Sequence, residues 1–382
     1  MKILVFSKTF GSPTLTFIHN EVTGLAQNHE VKVITCNWEN SGHFPFENVI
    51  EIPFVENATQ QKYQTKLQYL DFKWAFKSSY FKQRINEVVD EFKPDIIHTH
   101  FGFESWLFLE NFQRADIPIF VSFHGYDASH KLISARYRKA VKHYLNRPEV
   151  TPIFVSEFMK LHVERTVEQQ FPEAKILYYG TDIVFFKRTD YQQSADEFTF
   201  LQVSSFSEKK GHEFTVKAFA DFILKYKGNK NIKLILAGAG SLKKATENLV
   251  NELGISAYVE FPGLVNREQA KELMERADAF LHHSVTSASV GDMEGIPNAI
   301  MEAMAMELPV ISTIHSGIPE LVENEANGYL VKERDVEAYS KRLNDILSWK
   351  YAKANREKVA RLFEKKQHAE QLVGFYNKAL NA

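Results

Sequence analysis

The sequence holds a single cysteine, Cys36, in 382 residues. No internal disulfide and no cysteine-based zinc site can form, a usage that suits a reducing compartment. It lacks any apolar run near the roughly 20 residues that span a bilayer. The apolar stretch after Lys2 is only Ile3 to Phe6, too short for the core of a signal peptide. It also lacks a charge excess: 46 Lys and Arg stand against 48 Asp and Glu, a net −2 with neutral histidine. That balance excludes a uniformly basic nucleic-acid binder, and no nucleic-acid partner is expected. There is no repeat at a solenoid period, no low-complexity segment and no Asp-x-Asp triplet. With 44% hydrophobic and 25% charged residues the chain is globular. Its length predicts two to three domains, and the expectation is a cytoplasmic protein with a sizeable core.

What is present is alternation. Short β-branched runs (Lys2–Phe6, Val31–Thr35, Asp95–His98, Pro118–Ser122, Pro152–Val155) are separated by amphipathic stretches such as Leu15–Gln27, Arg84–Phe92 and Glu157–Thr166. Strands apolar on both faces belong in a sheet covered by helices on both sides, which predicts a parallel, doubly wound α/β domain. The pattern lapses from Tyr178 to Glu197 and then restarts with strands at Phe198–Val203, Lys233–Ala237, Val259–Phe261, Ala279–His282, Pro309–Ser312 and Tyr329–Val331. Two Rossmann-like domains are therefore expected, residues 1–185 and 186–360, with a last helical stretch over 361–382 that packs outside the sheets. Domains of this kind facing across a cleft bind ligands at the carboxyl ends of their strands.

The most informative segment is Glu294-Gly295-Ile296-Pro297-Asn298-Ala-Ile-Met-Glu302-Ala-Met-Ala. Pro297 suits the first position of a helix running to Met306. The free N–H groups around Asn298 and Ala299 then form an anion-attracting end, with Glu294 in the loop before it and Glu302 in its second turn. A nucleotide sugar fits such an arrangement, because the diphosphate meets the helix end and the carboxylates accept hydrogen bonds from hydroxyls. Two solvated glutamates are the plainer alternative. Phe206-Ser-Glu-Lys-Lys-Gly-His212 follows a predicted strand and offers Lys210 to a phosphate, or to solvent. Ala237-Gly238-Ala-Gly240-Ser241 lacks the third glycine of a dinucleotide fingerprint and reads as a tight turn.

Glu294 and Glu302, with seven residues between them in EGIPNAIMEAMA, resemble the signature of the family 4 retaining glycosyltransferases. SEKKGHE, GAGSL, VEFPGLV, PVISTIHSGIPELV and NGYLV follow in that family's order from about Phe198 to Val331. GDMEGIPNAIMEAMA with HSGIPELV is similar to the exopolysaccharide branch, of the colanic-acid and amylovoran type. The resemblance implies the GT-B fold and a donor such as a UDP- or GDP-sugar, with no cofactor and no metal. It implies that Lys210 contacts the donor diphosphate, Glu302 the ribose and Glu294 the transferred sugar. Leu264 and Val265 match the loop that meets the base through its backbone, and Gly238, Gly240, Gly295, Ile296, Pro297 and Asn298 belong to the same donor loops. Ser205 stands where the family commonly has an arginine, and Glu307 where a glycine usually precedes Leu308-Pro309.

In the first domain, Phe123-His124-Gly-Tyr-Asp127 ends a predicted strand and resembles the family's histidine motif. That resemblance sets His124 against the donor sugar as a catalytic residue and Asp127 on the acceptor side, beside His100. Ile97-His98-Thr99-His100-Phe101 also admits a zinc reading with His124 and Asp127, or simply a strand end whose histidines support a loop. The loop Phe10-Gly11-Ser-Pro-Thr14-Leu-Thr-Phe17 resembles the family's first loop, where Gly11 lets backbone approach a phosphate or an acceptor, although Leu15 replaces the usual glutamate.

Local charge departs from the average. Lys62 to Arg84 carries six bases against Asp71 alone, interleaved with aromatics, and Lys131 to Arg147 carries six bases and no acid. Basic amphipathic segments of this kind suit an anionic membrane surface, so a glycan or lipid-linked acceptor at the inner face of the cytoplasmic membrane is expected. Two other classes compete. A dinucleotide-dependent oxidoreductase needs the missing glycine fingerprint. A non-catalytic nucleotide- or glycan-binding regulator with a degenerate site draws its support from Ser205.

Overall fold

The computed structural model describes residues 1–12, 15–57, 64–68, 70–190 and 194–381. The chain divides into two compact units, Met1–Gly180 with Lys366–Ala382, and Thr181–Lys365. The boundary lies at Gly180/Thr181, five residues before the expected one. The last helix belongs to the first unit.

The first unit is a seven-stranded, all-parallel sheet. Its spatial order is Val49–Glu51, Glu30–Thr35, Lys2–Phe6, Ile96–His100, Ile119–Phe123, Val150–Phe154 and Lys175–Ile176. The chain winds outward from Lys2–Phe6 and then reverses to Ile96–His100 on the other side of the starting strand. That reversal is where open parallel sheets bind ligands. Ile96–His100 and Ile119–Phe123 are buried along their whole length, as strands covered on both faces must be. One face is closed by Ile18, Val22 and Leu25 of the Thr16–Leu25 helix together with Leu372 and Tyr376 of the last helix.

The second unit repeats the plan with six parallel strands, in the order Val259–Gly263, Asn231–Ala237, Glu197–Val203, Ala279–His282, Val310–Thr313 and Gly328–Val331. Its reversal falls between Glu197–Val203 and Ala279–His282. Phe198, Phe200, Phe219 and Phe222 anchor its core with Tyr339 and Leu343. Arg188 is fully buried there, with its guanidinium donating to the carbonyls of Met274, Glu275, Ala277 and Met306 at 2.7–3.1 Å. Glu307 adopts the left-handed conformation (φ 62°) just past the Asn298–Ala305 helix, at the position where glycine is the easier residue.

The expected strands are present to within two residues. The last helical stretch, expected over 361–382, is the helix Lys365–Leu380, and a separate helix, Lys353–Leu362, precedes it. Thr181 inserts at the break, donating to Phe363 O at 2.7 Å and accepting from Lys365 N at 3.0 Å. No described helix is long and apolar enough to cross a membrane.

Candidate functional site

The reversal point of the second unit gathers the donor-side residues. The loop after Glu197–Val203 is held by Gln202, whose amide donates to Lys210 O at 2.9 Å while its Oε1 accepts from Thr215 Oγ1 at 2.9 Å. Glu208 ties the same loop to the one after Ala279–His282, accepting from Ser287 Oγ at 2.6 Å and from Ala288 N at 2.7 Å. Two lysines thereby sit side by side over two acids. Lys210 Nζ lies 2.6 Å from Glu294 Oε1, and Lys209 Nζ lies 2.9 Å from Asp292 Oδ2.

Glu294 is only 7% exposed. Burial alone would raise its pKa, but Lys210 and Lys209 overcome that and hold it at about 2, so it is a carboxylate. Its backbone is clamped as well. Glu294 N–H donates to His315 Nε2 at 3.1 Å, and Ser316 Oγ donates to Glu294 O at 2.7 Å. Because His315 Nε2 accepts, its proton is on Nδ1, which donates to Glu333 Oε1 at 2.6 Å. His282 at the end of the neighbouring strand is fully buried, and neither of its ring nitrogens has a hydrogen-bond partner among the described residues. Burial and the Lys210 charge bring its pKa down to about 3, so the ring is neutral.

The helix that follows is Asn298–Ala305, with Pro297 as its N-cap rather than its first residue. No side chain caps this end and no acid stands in its first turn. Asn298 Oδ1 is buried without a partner. Glu302 in the second turn is partly buried, and burial lifts its pKa to about 7 against a weaker opposing pull from Arg267. An uncapped, positively polarised helix end therefore lies between Glu294 and Glu302, an arrangement that attracts anions.

The loops around this end pack backbone to backbone. At Gly238 (φ 146°) a Cβ would stand 2.0 Å from Ser204 O, and one at Gly240 would meet the Phe206 backbone. The turn is tight because two loops touch there. Leu264 is exposed at the end of Val259–Gly263, with Val265 beside it, and Gly263 O accepts from Gly238 N at 2.7 Å. Ser205 is exposed, with its hydroxyl 3.4 Å from Ser207 Oγ and its carbonyl accepting from Ser207 N at 2.9 Å. Lys209, held beside Asp292 and raised in pKa by Glu294 and Asp292 against its own burial, is the extra cation that sequence reasoning passed over.

The reversal point of the first unit is organised differently. His100 Nδ1 lies 3.2 Å from His124 Nε2, and His124 Nδ1 lies 2.8 Å from Tyr179 OH. Both nitrogens of His124 are thus taken, and burial keeps its pKa well below the usual imidazole value. The structure thus places the ring expected to be catalytic in an internal network, where it is 7% exposed. Behind it, Glu21 Oε1 lies 3.2 Å from both His98 Nδ1 and His100 Nε2, while Glu21 Oε2 lies 2.9 Å from His368 Nε2. His368 Nδ1 faces Tyr178 O at 2.7 Å, so both of its nitrogens meet acceptors and the ring is an imidazolium. Burial opposes that charge, yet the hydrogen bond and charge of Glu21 raise the His368 pKa. Tyr376 OH closes the cluster on His98 Nδ1 at 2.7 Å.

Two further expectations are corrected here. Asp127 is fully buried, and its carboxylate accepts from Gly102 N, His124 N and Gly125 N at 2.6–3.1 Å, so it shapes the loop instead of facing an acceptor or a zinc ion. The acid that joins His98 and His100 is Glu21. Gly11 (φ 81°) is required by Glu39 O, which would lie 2.0 Å from a Cβ; its freedom serves the crossing of two chain segments rather than a phosphate. Thr14 lies outside the described residues, as do Lys62, Tyr63 and Tyr69 of the first basic segment. Lys131 of the second segment is buried on Asp71 at 2.8 Å and is not a surface base.

Residues 185–367 match the family model described as glycosyl transferases group 1, and residues 16–183 match glycosyltransferase family 4. The chain is 33% identical to Escherichia coli WcaL, named as a colanic acid biosynthesis glycosyltransferase, over 67% of this chain and 62% of that protein. It is 30% identical to the Salmonella typhimurium protein of the same name, over 75% of this chain and 71% of that protein. Erwinia amylovora AmsK, named as an amylovoran biosynthesis glycosyltransferase, is 31% identical over 65% of this chain and 60% of that protein. Among solved structures, Anabaena Alr3699/HepE in complex with UDP aligns with a TM-score of 0.76 at 18% identity, covering 99% of this chain and 100% of that one. Sucrose-phosphate synthase of Thermosynechococcus elongatus aligns at 0.77 and 19%, covering 99% and 98%. With two parallel-sheet units of Rossmann type and both halves matched in order, the chain belongs to the family 4 glycosyltransferases of the GT-B fold.

Proposed function

We propose that the protein transfers a hexose from a UDP- or GDP-linked donor to a hydroxyl of a glycan or lipid-linked acceptor in exopolysaccharide assembly, with retention of the anomeric configuration. The observation that carries this reading is the buried Lys210–Glu294 pair beside an uncapped helix end at the reversal point of the second sheet. In the reaction the bond between the anomeric carbon and the diphosphate oxygen breaks while the acceptor oxygen bonds to the same face of the sugar. The acceptor proton passes to the leaving diphosphate. Lys210 and the N–H groups around Asn298 offset the charge that develops on that group, and because they are already in place little reorganisation is needed. They supply this charge without a metal. Glu294 accepts hydrogen bonds from the transferred sugar, and Glu302 from the ribose. The first unit receives the acceptor, and its basic segments, 62–84 and 131–147, rest on the anionic inner face of the membrane.

A regulator that binds nucleotide sugars without transferring them is the second reading, favoured by exposed Ser205 in place of a cation. A thermal-shift panel of UDP-, GDP- and ADP-sugars with a mass-spectrometric search for released nucleotide separates the two. Transfer predicts a shift with one nucleotide class, because a ligand at 100 times its Kd stabilises by about 2.7 kcal/mol, and turnover of that ligand. A shift without turnover identifies the regulator. The absence of any shift contradicts both.

A further inference from the structure

The two basic segments of the first unit meet at one cavity of about 490 Å³. Lys73, Lys77 and Lys82 come from the first segment, His143 and Arg147 from the second, and Trp106 lies between them on the Gly102–Asn111 helix. Four permanent cations face a single acid, Glu110, which lies 3.5 Å from Lys73 and accepts the Trp106 indole N–H at 3.1 Å. Arg147 is fixed in place by Glu149 at 2.6 Å and by the carbonyls of Leu109 and Phe112. Lys77 and Lys82 are exposed, and their ammonium groups have no partner among the described residues. The 14-residue helix Ser79–Phe92 begins at this cavity with no acid in its first turn, so its positive end adds to the lysines.

Charge alone would suit any phosphate. Exposed apolar residues elsewhere on the same two segments narrow the source. Leu70, Trp74 and Ile133, on the same two segments, are 54%, 56% and 63% exposed. Arg136 binds the segments together, with its guanidinium 4.3 Å from the Phe72 ring centre and donating to Leu70 O at 3.0 Å. A free phosphate has no use for an exposed tryptophan, leucine and isoleucine. The interface of a bilayer takes such side chains beside cations that reach its headgroups.

We propose that this cavity binds the phosphate of an anionic lipid headgroup, held by Lys77 and Lys82, while Leu70, Trp74 and Ile133 contact the bilayer. The site rests on the membrane reading above and gives it a specific address. The test is flotation of the full chain with vesicles of phosphatidylcholine containing phosphatidylglycerol, comparing wild type with Lys77→Gln/Lys82→Gln. The variant changes exposed residues only, and an unchanged melting temperature and nucleotide response confirm its fold.

Wild type floats with the anionic vesicles and not with phosphatidylcholine alone, and the double variant binds about 30-fold more weakly, as two lost bases near such a surface imply. Trp74 fluorescence shifts to the blue on binding, and that component is lost in Trp74→Ser. Equal binding of wild type and the double variant would overturn the cavity while leaving membrane contact intact. No flotation of wild type overturns both. If inorganic phosphate stabilises wild type but not the variant, and vesicles bind neither, the cavity takes a free phosphate and the lipid assignment is wrong.

Discussion

The two units carry the same strand order and the same reversal point, yet they treat the ionisable groups there in opposite ways. In the second unit Lys210 and Glu294 are charged and clamped by their neighbours. Beside them the two nitrogens of His282 and the Oδ1 of Asn298 have no hydrogen-bond partner. In the first unit the histidines consume one another: His124, His100, His98, Glu21 and His368 form a chain that ends on tyrosines and a carbonyl. Buried polar groups left open beside a charged pair, as at His282 and Asn298, can bind something that arrives. The first-unit network spends most of its polar atoms on itself, with Glu21 Oε1 and His100 Nε2, 3.2 Å apart, as the pair left without a hydrogen bond of good geometry. The difference is what supports the proposal of donor chemistry in the second unit, with the first-unit network chiefly holding its own sheet end together.

The largest expected effect on this contrast is Glu294→Gln. Neutralising a carboxylate held at about 2 removes the group proposed to accept from the sugar, so turnover should fall about 10²- to 10³-fold, the loss seen when a preorganised polar contact is removed. The melting temperature should change little because Lys210 can still reach water. Turnover at the wild-type rate would remove Glu294 from the mechanism.

Glu21→Gln should do the reverse. It leaves His368 as a buried imidazolium without its counter-ion, at a cost of about 3–5 kcal/mol, and lowers the melting temperature of the first unit by roughly 10 °C or more. Nucleotide binding by the second unit should persist. The same pair gives a pH signature. The His368 pKa is raised in the fold, so its contribution is complete below the ordinary imidazole value and is lost as pH rises through the elevated one. An unchanged stability in the variant would show that the histidine network is incidental.

A smaller effect concerns Glu302, whose pKa of about 7 is above that of a free glutamate. The folded protein holds its proton more tightly than the unfolded chain does. Stability contributed by this group is therefore highest at acid pH and declines as pH rises toward 7. Ribose recognition by a carboxylate runs the other way, so donor affinity should improve severalfold from pH 6 to pH 8 in wild type and not in Glu302→Gln. Equal pH profiles would detach Glu302 from the ribose.

The cluster at the second unit's reversal point was legible because its residues lie close together in sequence. EGIPNAIME places two acids and a helix start within nine positions, and the Lys-Gly turn follows directly on a strand. The alternation of short apolar strands with helices likewise carried both sheets to within a residue or two. The first-unit network was not legible, since Glu21 meets a histidine 347 positions away and Tyr376 meets one 278 positions away. Glu21 on a mid-helix position and His368 on a terminal helix carry no local pattern that marks them. Arg188 was missed for the same reason, its partners being carbonyls of Met274 to Ala277 and Met306. Asp127 was misread because an acid at a strand end suits a ligand and a backbone cap equally well from spacing alone. The basic segments were visible as composition, but Lys131 shows that a base in a basic run can be a core ion pair.

The most direct test of the donor assignment is calorimetric titration of the nucleoside diphosphate identified by the panel into wild type and Lys210→Met. The apolar side chain keeps the length and removes the charge. The account predicts at least about a 10-fold loss of affinity with the fold intact, because the diphosphate loses its principal cation and a charge-assisted hydrogen bond worth roughly 1.5–3 kcal/mol. Equal affinity for wild type and the variant would place the diphosphate elsewhere and contradict the assignment of the donor site to the Lys210–Glu294 pair.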